Sequence, residues 1–263
     1  MAKRLITSAI GIVIFFLILP SPQFVFNIAI GLITLIGSYE LSNAVTKNML
    51  LKAIGVLSWI GVYIATLFSK QFEAMICVIS LYLILTVLLF GKEELHNLYL
   101  LALTSAVFPM FFATLSLLKR DFSGYAVLLP FLFAWITDSG AYFTGIYLGK
   151  HKLAKTLSPK KTIEGSVGGI VSCVIASIIY MIILKNCFHY FIFNSHDYLK
   201  IIIMSILASV VSQFGDLSLS AIKRVYKVKD YGNLLPGHGG VLDRFDSVLF
   251  VSPFVFWLLT ILK

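Results

Sequence analysis

The feature that most limits how this chain can fold is a succession of apolar runs, each close to the length that crosses a lipid bilayer. A helical span needs about 20 apolar residues. Runs of that kind occupy roughly 5–20, 22–46, 50–69, 72–90, 98–117, 125–148, 165–185, 198–224 and 247–262. In hydrocarbon every backbone N–H and C=O must find its partner inside the protein, so such runs form helices. The expectation is an all-α polytopic membrane protein with about nine transmembrane helices. Composition agrees: 59% of residues are hydrophobic and 13% charged, against roughly 25% charged in a soluble domain. The first run follows Met1-Ala2-Lys3-Arg4, as a signal peptide would. No A-x-A-like cleavage site follows and further runs come at once, so a retained helix is expected.

Net charge is +9. In so apolar a chain the excess points to membrane topology or anionic lipid, and away from nucleic acid. With the N-terminus cytoplasmic, fifteen of the 21 Lys and Arg residues fall on the cytoplasmic side. That bias predicts N-terminus in and C-terminus out. The two densest basic stretches, 150–161 and 223–244, are separated by two runs and so share one membrane face. The first four or five runs hold few ionisable groups; Glu40 and Glu73 are exceptions near run ends and read as snorkelling acids. We therefore divide the chain into an N-terminal transmembrane scaffold, 1–120, and a C-terminal catalytic region, 121–263, with a cytoplasm-facing polar site. Cys77, Cys173 and Cys187 have no metal-ligand spacing and read as small core residues.

Three segments carry chemistry. Asp138 interrupts the apolar run around Phe131–Gly145. A carboxylate at membrane depth costs several kcal/mol by most estimates, so it should face a partner or a wet cavity. Ala141, Tyr142, Gly145 and Gly149 share its helical face, and the small ones admit a close neighbour. An interhelical hydrogen bond is the structural alternative. Next, 149–165 holds five lysines, Lys160 and Lys161 among them, and His151, then a turn at Ser158-Pro159 leading into the next helix. Lysines act as point charges for phosphate, although an ordinary positive-inside loop looks the same. Gly145-Ile-Tyr-Leu-Gly149-Lys150 is no Walker loop: three residues separate the glycines, and His151 stands where Ser or Thr belongs. Helix packing of the GxxxG type fits it better.

The third segment, 212–246, is the richest. Asp216 opens it at membrane depth, with Ser220 and Lys223 on the same helical face. Lys223, Arg224, Lys227, Lys229 and Asp230 follow, then Gly-His238-Gly239-Gly240 and Asp243-Arg244-Phe245-Asp246. Carboxylates gathered together repel unless a cation joins them. Mg²⁺ takes one or two carboxylates and completes its shell with substrate phosphates. Adjacent cations neutralise phosphate, and glycines let backbone approach a ligand. This is equipment for nucleotidyl or phosphoryl transfer, which depends on positioning and electrostatics. Interhelical ion pairs are the bland alternative. His238 suits either a general base or a backbone anchor; a phosphate nucleophile is already an anion and needs no base.

The pattern Ser220-x-Ile-Lys-Arg-x4-Lys-Asp-x-Gly-x2-Leu-Pro-x-His-Gly-Gly-Val-x-Asp-Arg-Phe-Asp246 resembles, without departure, the signature of the phosphatidate cytidylyltransferases. The DSGAYFTG and SPKKTxEG segments resemble the same family. The resemblance implies that CTP and phosphatidate (phosphatidic acid) give CDP-diacylglycerol and pyrophosphate. It implies dependence on Mg²⁺, with K⁺ as a second cation, and a homodimer in a bacterial-type inner (plasma) membrane, with the site cytoplasmic. Carried over by position, Asp216, Asp243 and Asp246 hold metal, and Lys223, Arg224, Arg244 and His238 join them as catalytic residues. Asp138, Lys160, Lys161, Ser220, Lys229, Gly239 and Gly240 contact substrate. The rival classes are a CTP-using polyprenol or lipid kinase, an anion transporter, and a scaffold for anionic lipid. Confinement of the polar residues to one half counts against a transporter built from repeated halves.

Overall fold

The computed structural model describes residues 2–190, 192, 197–237 and 239–262. Among them the elements run α1 (Ala2–Ile18), α2 (Gln23–Val45), α3 (Met49–Leu67), α4 (Gln71–Leu88), α5 (Leu95–Asp121), α6 (Gly124–Leu148), β1 (Lys152–Ala154), β2 (Ser158–Thr162), α7 (Ile163–Phe188), α8 (Tyr198–Val225) and α9 (Leu242–Leu262). Helices α2 to α9 are long and apolar enough to cross a membrane. Among the described residues the nine expected runs thus give nine helices, eight of them long enough to span. Helix α1, with 17 residues, is the shortest.

The chain packs as two compact units, Met1–Phe122 with Val225–Phe245, and Ser123–Arg224 with Asp246–Lys263. The division at 120/121 was drawn on polarity. Compactness draws its own line at 122/123 and places Val225–Phe245 with the first unit.

In the first unit α5 is central, with 61% of its apolar stretch buried, whereas α4 is peripheral at 17%. Aromatic side chains fill this core. Trp59 stands edge-on to Phe108 at 5.8 Å and packs on Phe112 at 6.4 Å. The Tyr63 hydroxyl donates to the Asn27 carbonyl at 2.7 Å, and Gln23 Nε2 donates to the Ser116 carbonyl at 2.9 Å. Leu57, Phe68, Phe72 and Val87 face outward and exposed, as suits acyl-chain surroundings.

The second unit packs on small residues instead. Helices α6 and α7 approach so closely that a Cβ on Gly140 would lie 2.5 Å from Ser172 Oγ, and one on Gly169 would lie 2.7 Å from the Thr137 carbonyl. Gly145 and Gly149 pack against Thr162, the close packing that their spacing suggested. Cys173 is a buried core residue, its thiol near the Ser205 carbonyl at 3.6 Å. Cys77 and Cys187 are exposed, contrary to the expectation of three core cysteines. An apolar run has a lipid face as well as a core face, and residue type does not separate the two.

Candidate active site

Four elements of the second unit bring polar side chains together. On α6, Thr137 donates to Ser209 Oγ of α8 at 2.8 Å and fixes the turn that carries Asp138. The basic segment is not the simple turn expected from Ser158-Pro159. It is a hairpin, β1 pairing antiparallel with β2 through Lys152↔Thr162 and Ala154↔Ser158. Glu164 closes its base, its carboxylate accepting from the Lys150 amide at 3.0 Å and the His151 amide at 3.1 Å. Thr162 then caps α7 by accepting from the Gly165 amide at 3.1 Å. This frame holds Lys161 at the end of β2. Helix α8 is tied to α7 by Ser166 donating to Gln213 Oε1 at 2.5 Å. It meets α9 where a Cβ on Gly215 would come 2.9 Å from Phe250 Cδ2.

Asp138, Lys161, Asp216, Lys223 and Asp246 converge on this frame. Lys161 pairs with Asp216, both side chains 23% exposed. Asp138 lies within electrostatic range of Lys161 and Asp216, and Ser247 faces it without closing a hydrogen bond. Asp246 lies within range of Asp216, Asp138 and Lys223, and its Oδ1 accepts from the Ser247 amide at 2.7 Å. Three carboxylates face two ammonium groups, so one negative charge is left over. Such a set attracts a further cation. Among the described residues no three acidic, histidine or cysteine side chains form a closed metal-binding group. Mg²⁺ does not require one, since a pair of carboxylates with phosphate and water oxygens suffices. The hard oxygen donors present fit that ion.

Asp243 is held differently. It is 7% exposed, and its Oδ2 accepts from the Tyr231 amide at 2.8 Å and the Gly240 amide at 3.0 Å. Both amides belong to its own loop, whereas the charged groups around Asp246 are Asp138, Asp216 and Lys223. Gly239 adopts a left-handed φ of +84°, which a glycine takes at little cost, and packs beside Asp230 and Asp243. Gly240 is buried. Lys160, Arg224, Lys229 and Arg244 are exposed, and Ser220 is half-buried on α8. His238 lies outside the described residues.

One residue was misjudged in the sequence. Glu40, read as a snorkelling acid, is 4% exposed and accepts from the Val241 and Leu242 amides, each at 2.9 Å. Thr34, Ser38 and Ser42 on the opposite face of α2 are buried too, so this helix end is enclosed by protein. The first unit also holds a cavity of about 470 Å³ lined by Lys47, Lys92, His96, Tyr226 and Lys227 among others. Tyr226 donates to Asn97 Oδ1 at 2.7 Å, and burial, with the charge of Glu94, pushes its phenol above the usual range. Of the residues singled out in the sequence, Lys227 lines this cavity.

A family model described as "Cytidylyltransferase family" matches residues 2–262. A phosphatidate cytidylyltransferase of Bacillus subtilis (strain 168) is 48% identical over 127 residues, 48% of this chain and 44% of that protein. Proteins of the same name from Staphylococcus saprophyticus and Staphylococcus haemolyticus are each 34% identical, over 263 and 267 residues, and the matches cover 96% of both chains.

Proposed function

From the premise that this chain belongs to the cytidylyltransferase family, we propose that it transfers CMP from CTP to phosphatidate, leaving CDP-diacylglycerol in the membrane and releasing pyrophosphate. The observation that carries the proposal is the convergence of Asp138, Asp216 and Asp246 with Lys161 and Lys223. A phosphate oxygen of phosphatidate attacks the α-phosphorus of CTP. The new P–O bond forms as the bond to the β-phosphate oxygen breaks, and the electron pair leaves with pyrophosphate. Lys161 and Lys223 offset the charge of phosphates entering the cluster. Bound Mg²⁺ supplies Lewis-acid stabilisation of charge on the triphosphate. Asp216 and Asp246 would hold it, with Asp138 beside them.

Solubility fixes the setting. The diacyl substrate leaves the bilayer at a cost of about 0.8 kcal/mol per CH₂, and CTP does not enter it. The reaction therefore belongs at an interface. The excess of Lys and Arg on the N-terminal side of the spans supports the cytoplasmic face of a bacterial-type plasma membrane. The family pattern supports a homodimer and K⁺ as the second cation. The test is purified protein in detergent with radiolabelled CTP. Label must enter a lipid-soluble product only when phosphatidate and Mg²⁺ are both present, with pyrophosphate released. Release of CDP instead identifies a lipid kinase.

A further inference from the structure

The Glu40 carboxylate sits on the glycine-rich loop that precedes α9. Its two oxygens each take one backbone donor, Oε1 from Val241 and Oε2 from Leu242, both at 2.9 Å. These N–H groups belong to the start of α9, where a helix leaves its first amides without internal partners. The positive end of the helix dipole favours an anion there. The loop is shaped around this acid. A Cβ on Gly240 would lie 2.5 Å from Oε2, and one on Gly232 would overlap Oε1. Neither glycine has a positive φ, so close approach, not backbone freedom, explains them. From its other end the same loop is held by Asp243, which accepts from Tyr231 and Gly240. Two carboxylates thus grip four backbone amides of the segment 231–242.

We infer that Glu40 is a positioning residue for the transfer reaction: by gripping the Val241 and Leu242 amides it sets the first turn of α9, and so the orientation of Asp243 and Arg244. This rests on the cytidylyltransferase function proposed above. It assigns a catalytic duty to α2, in the half of the chain that the sequence marks as scaffold. It also gives Gly232 and Gly240 a partner within the chain.

The test uses purified full-length enzyme, with rates normalised to folded protein by thermal melting in detergent. Glu40→Gln keeps the volume but puts an amide N–H against a backbone donor. It is expected to lower kcat about tenfold to a hundredfold, as loss of one charge-assisted hydrogen bond implies, with KM for CTP within about twofold. Glu40→Ala, Gly232→Ala and the double variant are expected to show equal losses, because each removes the same grip. A space-filling role makes the double variant recover over Glu40→Ala, and independent roles make the losses add; either result overturns the inference. Wild-type turnover separates the two claims. An inactive wild type overturns the reaction and this inference together, whereas an active wild type with Glu40→Gln at full rate overturns this inference alone.

Discussion

Two sets of carboxylates stand out in this protein, and they are partnered in opposite ways. In the first unit Glu40 and Asp243 accept from four backbone amides, those of Val241, Leu242, Tyr231 and Gly240. In the second unit Asp138, Asp216 and Asp246 face one another and two lysines. The first arrangement is complete within its own chain and gives a fixed loop. The second leaves negative charge uncompensated and gives a place where a cation and phosphates are welcome. Carboxylates of one kind build; those of the other kind suit the proposed transfer site. The packing matches. The first unit is filled by Trp59, Phe108 and Phe112, and the second is drawn together at Gly140, Gly168 and Gly169. The three aspartates come from α6, α8 and α9, and close approach is seen between α8 and α9 at Gly215 and Phe250.

The sharpest way to break this contrast is to neutralise one acid of the reacting set. Asp246→Asn and Asp216→Asn are each expected to lower turnover by about 10²–10³-fold, the scale of one lost electrostatic stabiliser. For Asp246→Asn thermal stability should hold or rise, since a like-charge contact is relieved; a fall in Tm equal to that of a loop variant would place this acid with the structural set. Lys161→Ala should cost about 10²-fold in kcat/KM for CTP. In a double-mutant cycle with Asp216→Asn the two losses should fall short of additive, because the pair acts as a unit. Asp243→Asn tests the other set. It should destabilise by about 1.5–3 kcal/mol, the worth of hydrogen bonds to a charged acceptor, as a clear drop in Tm alongside lost turnover. Gly169→Ala should destabilise by about 1–3 kcal/mol through overpacking against α6. The smallest effect is expected at Ser166→Ala. It removes one interhelical hydrogen bond, worth about 0.6 kcal/mol in a membrane protein, and turnover per folded molecule should stay within about twofold.

The helices were legible because a bilayer imposes a length that survives any uncertainty about packing. Asp216, Asp246, Lys161 and Asp138 were legible because ionisable groups stand out in so apolar a chain. That Asp138 joins the other acids depends on how α6 meets α8, a contact made by Thr137 and Ser209 that no sequence spacing fixes. The hairpin at 152–162 was read as a turn because its strands are short and lysine-rich and lack the alternation that marks a half-buried strand. Glu40 was misread because its partners lie 201 and 202 residues away and are backbone amides, which carry no residue-specific signal. Cys77 and Cys187 failed as core residues for a related reason: hydropathy places a residue in the bilayer and says nothing of which way it faces.

The claim that the second-unit acids await a divalent cation is tested most directly by electron paramagnetic resonance. The purified protein is titrated with Mn²⁺ in place of Mg²⁺, with CTP present. Protein-bound Mn²⁺ should appear in the wild type and fall by at least about tenfold in affinity in both Asp216→Asn and Asp246→Asn. Undiminished binding in both variants would contradict the assignment of this cluster as the reacting site.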